Sequence, residues 1–116
     1  MEMAKKRGES CCYYENLGLY KVLYAVDDKA ILREYYGDVL GKLKAYDREN
    51  KTELTQLLKA YLENNGSLQL VSEKKYVHRN TVTNQLKRIE KITGLNPLDL
   101  EDKLKFYLGF CVGEIL

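Results

Sequence analysis

Amide and cationic side chains recur at helical spacing along residues 79–91 of this chain, and no acidic residue lies between Arg79 and Arg88. The side chains that would share one helical face are Asn80, Asn84, Lys87, Arg88 and Lys91. Asparagine can pair with adenine, and lysine or arginine can hold phosphate or guanine. The pattern predicts a face that reads nucleic acid, although an ordinary solvated helix face can have the same composition.

Two short helices joined by a corner would position this face. Apolar spacing over residues 79–92 predicts a helix with one buried side, formed by Val82, Leu86, Ile89 and Thr93. The segment 68–75 before it is about two helical turns long, and its Ser72 allows close helix approach. Tyr76 and Val77 form the corner, with Val77 as its buried plug. This plan is that of a helix-turn-helix at 68–92, whose second helix docks in the DNA major groove.

A longer motif surrounds this unit. It reads AYLENNGSL at 60–68, YVHRNT at 76–81 and LKRIEKITGL at 86–95, and it continues through Asp99, Leu100, Glu101, Asp102 and Leu104. Upstream it includes residues 16–19 and Leu40, Gly41, Leu43, Ala45, Tyr46 and Asp47. With these residues the chain resembles the C-terminal DNA-binding domain of the purine-catabolism and carbohydrate-diacid regulator (PucR/CdaR-like) family of bacterial transcription factors. The resemblance implies an all-α domain of about five to six helices that contains a Fis-like helix-turn-helix and regulates transcription.

The chain also departs from the family pattern. Ser72 and Lys75 stand where the family usually has Ala and Leu, and residues 83–85 (Thr-Asn-Gln) stand where it is often richer in Arg and Tyr. These departures bear on the DNA sequence that is read and on affinity, and they leave the fold prediction unchanged.

Roles on DNA follow from this interpretation. The predicted base readers lie on the N-terminal, outward half of the second helix and are Asn80, Thr81, Thr83 and Asn84. The predicted phosphate contacts are Lys75, Arg79, Lys87 and Arg88. Ser67 and Gln69 would add contacts to the DNA backbone from the first helix. His78 would cap the second helix or contact a phosphate, because free N–H groups at a helix start favour anions.

The bulk composition narrows the class of protein. The chain has 116 residues, 45% of them hydrophobic, which suits one small globular domain. Its net charge is only +2, so any basic patch is local. His78 is the only histidine and no paired-carboxylate or nucleophile–base spacing stands out, so we expect no enzyme, metal site or cofactor. Three cysteines (Cys11, Cys12 and Cys111) are typical of reduced thiols in a cytoplasmic protein, and no apolar run has membrane-span or signal-peptide character.

The chain divides into a tail at 1–14 and a helical domain at 15–116. Residues 10–14 read as extended and, by the resemblance, as the remnant of an upstream domain. The resemblance implies that small-molecule effectors act only through that absent sensor domain. A stand-alone protein with a short tail is the alternative.

Helix signals precede the helix-turn-helix. Residues 15–26 are apolar nearly all round, which predicts a helix buried on more than one side. Asp27 would cap the next helix, whose glycines predict a break or kink between Tyr36 and Leu43. Residues 47–51 would form a corner, and Asn50 with Glu53 a capping box.

Later signals mark the remaining helix ends. The next helix, with Leu54, Leu57, Leu58, Tyr61 and Leu62 on one face, would stop at 64–66, and Ser67 would cap its successor. The second helix of the motif would stop at Thr93 and Gly94. Asn96 and Pro97 would begin the last helix. Its apolar face would be Leu104, Tyr107, Leu108, Cys111, Val112 and Ile115.

Two uses of the outer helices stay open. Part of the last helix, together with Tyr20 and Leu23, could pack on the core or form the seam of a homodimer through helices 15–26 and 101–115. A rival to DNA binding is a protein–protein interaction module that works through these helices and keeps the helix-turn-helix as a scaffold.

Overall fold

The computed structural model describes residues 13–116, which form six helices and contain no strand. The helices are α1 (Tyr13–Tyr24), α2 (29–50), α3 (Leu54–Glu63), α4 (Leu68–Lys75), α5 (Arg79–Thr93) and α6 (Leu100–Ile115). Helix α2 runs without interruption through Lys29–Tyr36, a π-helical turn at Gly37–Gly41, and Lys42–Asn50. The predicted all-α class and helix number are confirmed. The helix does not break between Tyr36 and Leu43, and the irregularity found there is this π-helical turn.

The main hydrophobic core holds α5 in place. Helices α2 to α6 all contribute to it, through Val39, Leu40, Leu43, Leu54, Leu57, Leu58, Tyr61, Val71, Val82, Leu86, Ile89 and Phe106. The three residues from α5 (Val82, Leu86 and Ile89) are three of the four predicted for its buried face, and the fourth, Thr93, is half-buried. Full burial of such a side chain contributes roughly 1.5–3 kcal/mol, so the orientation of α5 about its own axis is fixed by its apolar side.

A second, smaller cluster covers one side of α1. Tyr20 and Leu23 pack with Leu32 of α2 and with Cys111 and Val112 of α6. Other parts of the α1 surface are open, since Val22 is 64% and Tyr24 49% exposed. Within the described residues α1 is therefore covered on one side, and its burial on a second side, for example by a second copy, stays a prediction.

The bounds at the N-terminal end also differ from prediction. Helix α1 covers Tyr13–Tyr24 rather than 15–26, so Tyr13 and Tyr14 are helical and not extended. The cap of α2 is Asp28, one residue beyond the predicted Asp27, and its carboxylate accepts the N–H of Ala30 at 2.9 Å. Residues 1–12 of the predicted tail, with Cys11 and Cys12, lie outside the described residues.

The corner between α2 and α3 depends on Asp47. Its Oδ1 accepts the hydroxyl of Thr52 at 2.5 Å and the N–H of Leu54 at 2.9 Å. Its Oδ2 accepts the N–H and the hydroxyl of Thr55 at 2.9 and 2.6 Å. Partial burial by itself would raise the pKa of Asp47, but these hydrogen bonds outweigh it and lower that pKa below its ordinary value.

The predicted turn chemistry at this corner is wrong. Helix α2 continues through 47–50 and ends at Lys51, and the side chain of Glu53 makes no capping hydrogen bond. Asn50 donates instead to the carbonyl of Tyr46. The cap of α3 comes from Asp47 because the turn folds the last helical turn of α2 against the start of α3.

The start of α6 also differs from prediction. Asp99, not Asn96, caps the helix by accepting the N–H of Asp102 at 3.1 Å. Asn96 accepts the N–H of Leu98 and donates its own N–H to Asp102, which forms a turn before the helix. On α6 itself, the predicted face residue Leu104 is 59% exposed, whereas Phe106 is fully buried.

Candidate nucleic-acid interface

Helices α4 and α5 pack as the predicted helix-turn-helix. Ser67 begins α4 as predicted, with its hydroxyl accepting the N–H of Leu70 at 3.1 Å. Ser72 is buried, and it donates its hydroxyl to the carbonyl of Gln69 at 2.9 Å. That bond satisfies the buried hydroxyl. The predicted helix ends at 64–66, before α4, and at Gly94, after α5, are also confirmed.

The corner between the two helices exposes its side chains. Tyr76 ends α4 in the left-handed region (φ 57°), and the N–H groups of Tyr76 and Val77 donate to carbonyls of α4. Val77 is 38% exposed, so it is not the predicted plug. The valines of α4 and α5 that are buried in the core are Val71 and Val82.

His78 is the N-cap of α5, as predicted. Its Nδ1 accepts the N–H of Asn80 at 3.0 Å, and its carbonyl accepts the N–H groups of Thr81 and Val82. A neutral imidazole whose Nδ1 accepts carries its hydrogen on Nε2. The exposed ring therefore presents an N–H donor beside the first turn of the helix, where an anion is also favoured by the helix dipole.

The outer face of α5 is an uninterrupted polar and basic surface. Nine of the eleven predicted site residues are exposed: Gln69, Lys75, His78, Arg79, Asn80, Thr81, Asn84, Lys87 and Arg88. Ser67 and Thr83 are half-buried. Among the side chains described, those of residues 18–116, no carboxylate forms an ion pair with a cation of α4 or α5; the ion pairs found there join Lys59 to Glu114 and Lys105 to Asp102. The cations of the interface are thus available to an external anion.

Two predicted residues are less well placed for DNA. Gln69 donates to the carboxylate of Glu73 at 3.2 Å, so it would have to exchange that partner for a phosphate. Thr83 is partly covered by its neighbours, which makes it the least accessible of the four predicted base readers. Sequence reasoning gave no DNA role to Tyr76, whose side chain is 94% exposed.

The other described surfaces are weaker candidates for a functional site. An open groove of about 590 Å³ is lined by residues of α2, the following turn, α3 and α6, among them Lys44, Asp47 and Phe110, and by none from α4 or α5. In the described part of the chain, no group of three or more His, Cys, Asp or Glu residues could hold a metal ion. The helices described here are all too short or too polar to cross a membrane.

Comparison with known proteins points to one family. The profile of the PucR C-terminal helix-turn-helix domain matches residues 54–112. The chain is 34% identical over 95 residues to the proline-responsive transcriptional activator PutR of Bacillus subtilis (strain 168). The aligned residues cover 82% of this chain and 23% of PutR. It is also 31% identical over 116 residues to the carbohydrate diacid regulator of Escherichia coli (strain K12). This alignment covers 98% of this chain and 29% of that regulator.

The purine catabolism regulatory protein of Bacillus subtilis (strain 168) is 30% identical over 85 residues, covering 73% of this chain and 16% of that protein. The chain therefore spans less than a third of the length of each of these relatives. No solved structure gives a significant match.

Proposed function

The chain belongs to the PucR C-terminal helix-turn-helix domain family, and we propose that it is the sequence-reading output domain of a bacterial transcriptional regulator, with α5 docked in the major groove of DNA. The observation that carries this proposal is the outer face of α5, where amides and unpaired cations lie together on a helix whose other side is fixed in the core.

The residues divide into two roles on that face. Asn80, Thr81, Thr83 and Asn84 lie on the N-terminal half of α5, which is the part of a recognition helix that reaches base edges. Contacts to phosphate would come from Lys75, Arg79, Lys87 and Arg88, with the imidazole N–H of His78. Ser67 and Gln69 would hold the DNA backbone at the start of α4. Phosphate contacts fix the position of the domain, and base contacts select the sequence.

Fluorescence anisotropy against a pool of duplexes, including the upstream promoter region of the protein's own gene, tests this proposal. Because phosphate contacts release counterions, binding should weaken with salt while a preference for one duplex persists. Binding to every duplex alike at all salt concentrations, or none at low salt, would contradict the proposal.

Variants separate the two roles. Asn80→Ala combined with Asn84→Ala should reduce affinity for the preferred duplex by roughly 1–3 kcal/mol per base contact and leave other duplexes unaffected. Lys87→Ala should weaken all duplexes equally and reduce the salt dependence. Lys21→Ala, which removes an exposed lysine on α1, is the control and should change neither. Equal, sequence-independent losses in the first two variants would overturn the assignment of roles.

We also propose that two copies bind together. One motif makes few contacts, and paired motifs read half-sites about 34–36 Å apart. The predicted seam through Tyr20 and Leu23 is not available, because both are buried inside the chain against α6. A dimer through α1 and α6 would have to use the apolar residues that these helices expose, such as Val22 and Tyr24. Light scattering that finds only monomer at high concentration, with and without a two-site duplex, would exclude it.

The regulatory setting of the domain is part of the proposal. The relatives named above are regulators several times longer than this chain, and PutR is named as proline-responsive. We infer that any response to a small molecule in this protein requires a domain outside the present chain, and that the protein acts in the cytoplasm, where bacterial DNA lies. The rival role as an interaction module is not favoured, since Tyr20 and Leu23 of α1 are buried against α6, whereas the amides and cations of α5 are exposed.

A further inference from the structure

We propose that Tyr76 is a contact to the DNA backbone at the edge of the groove that α5 enters. This inference rests on the proposed function and adds a residue to its interface. Tyr76 lies at the corner between α4 and α5, immediately after Lys75 and three residues before Arg79.

Backbone conformation and exposure make Tyr76 unusual. In residues 13–116, the non-glycine residues with positive φ are Lys51, Asn65 and Tyr76. Asparagine tolerates this region well, whereas a bulky aromatic residue is strained there. Tyr76 is 94% exposed, so no packing among the described residues offsets the strain or covers the ring. A strained residue without an internal partner is a reason to look for an external one.

The location of Tyr76 indicates what that partner is. Three residues of chain span at most about 11 Å, so Tyr76 lies within that distance of the first turn of α5. The major groove is about 12 Å wide and its walls are the two sugar–phosphate strands. When the first turn of α5 reaches the bases, Tyr76 is therefore close enough to contact one of these strands.

The chemistry of the side chain suits that wall. A phenol O–H can donate a hydrogen bond to a phosphate oxygen, and the ring can cover the apolar face of a deoxyribose. Lys75 and Arg79, on either side, are exposed and form no ion pair with a described residue, so the local field favours a phosphate strand. A neutral contact of this kind adds affinity without reading sequence.

Paired measurements of melting temperature and DNA affinity test the inference. Tyr76→Asn keeps a residue that tolerates positive φ but removes the phenol ring. We expect its melting temperature to rise by about 4 °C while its affinity for every duplex falls about fivefold. Tyr76→Phe should leave the melting temperature unchanged and weaken binding severalfold, and neither variant should alter the salt slope because no charge is removed. Lys51→Asn, at another exposed helix end where a long side chain has positive φ, is the matched control and should change stability alone.

The outcomes separate this inference from the proposed function. If the unmodified chain binds DNA and both Tyr76 variants bind equally well, Tyr76 has no role on DNA and the groove-reading helix stands. A Tyr76→Asn variant that is less stable than the unmodified chain would show that the ring supports the fold, and it would overturn the inference. If the unmodified chain binds no DNA at low salt, the proposed function and the contact fail together.

Discussion

The corner after α2 and the corner after α4 end their helices on a long side chain in the left-handed region, at Lys51 (φ 55°) and Tyr76 (φ 57°). The first corner is closed by Asp47, which receives four hydrogen bonds from Thr52, Leu54 and Thr55. The second has only backbone hydrogen bonds at the end of α4, the imidazole cap of α5, and exposed Tyr76 and Val77 side chains.

This difference separates a corner whose polar side chains bond to one another from a corner whose side chains are exposed. At the α2–α3 corner the polar side chains Asp47, Thr52 and Thr55 are turned inward onto one another. At the α4–α5 corner the side chains point to solvent, beside the helix that we propose to enter DNA. We therefore expect substitutions at the α2–α3 corner to change stability alone, and substitutions of exposed residues at the α4–α5 corner to change DNA affinity.

The largest expected effect is that of Asp47→Ala. Loss of a charged cap that satisfies four donors should lower the free energy of unfolding by about 3 kcal/mol. Urea denaturation measures it, and Asn50→Ala is the control, because Asn50 donates only to the carbonyl of Tyr46 and should change stability little. DNA affinity measured well below the melting temperature should be unchanged. A loss of DNA affinity in the folded variant would contradict the expectation that the α2–α3 corner affects stability alone.

Acid should weaken the first corner through Asp47. The pKa of Asp47 is lowered in the folded state, so its contribution to stability is present above the ordinary aspartate pKa of about 3.9 and is lost as the pH falls through the lower folded value. The stability gap between the unmodified chain and Asp47→Asn, about 2 kcal/mol at pH 7, should therefore shrink below pH 4. Denaturation curves from pH 7 to pH 3 measure this gap, and a constant gap would contradict the role of the carboxylate.

Relief of the left-handed conformation at Lys51 should stabilise the chain. Lys51→Gly removes the clash of Cβ with the backbone, for a gain of about 1 kcal/mol. Thermal denaturation measures the gain, and DNA affinity should be unchanged, in contrast to the loss expected at Tyr76. If Lys51→Gly weakens DNA binding as much as Tyr76→Asn does, the two corners are not functionally distinct.

The smallest expected effect is at Val77. Because its side chain is 38% exposed, Val77→Ala should reduce stability by less than about 1 kcal/mol. Val82→Ala, at a fully buried position of α5, is the reference and should cost about 2 kcal/mol. If urea denaturation gave equal losses of stability for the two variants, Val77 would be the buried residue of the corner after all.

Local signals in the sequence were sufficient for much of the interface. Ser67, His78 and Gly94 mark helix ends through bonds or backbone angles within three residues of themselves, so their neighbours along the chain reveal them. The buried side of α5 was predictable because its apolar residues alternate with strongly polar ones. The family motif supplied the helix-turn-helix, and the match to residues 54–112 confirmed it.

Features that depend on distant partners were not predictable. Asp47 caps a helix that begins seven residues later, which no local capping pattern describes. Helix α6 is apolar on several sides, so its periodicity did not show that Phe106 would enter the main core while Leu104 stayed exposed. Val77 and Tyr76 lie at a corner whose exposure depends on how α4 crosses α5. The roles of individual side chains on DNA stay predictions.

The π-helical turn at Gly37–Gly41 changes the direction in which the side chains after it point, relative to those before it. A π turn accommodates one residue more than the α-helical repeat, and each residue of an α-helix advances the side-chain direction by about 100°. Leu32, before the turn, belongs to the α1 cluster, and Leu43, after it, belongs to the core that holds α5. Deleting one residue from this turn would restore a regular helix and rotate one cluster against the other. Deletion of a single codon in this turn would therefore change the orientation of α1 relative to α5 without altering any residue of α5.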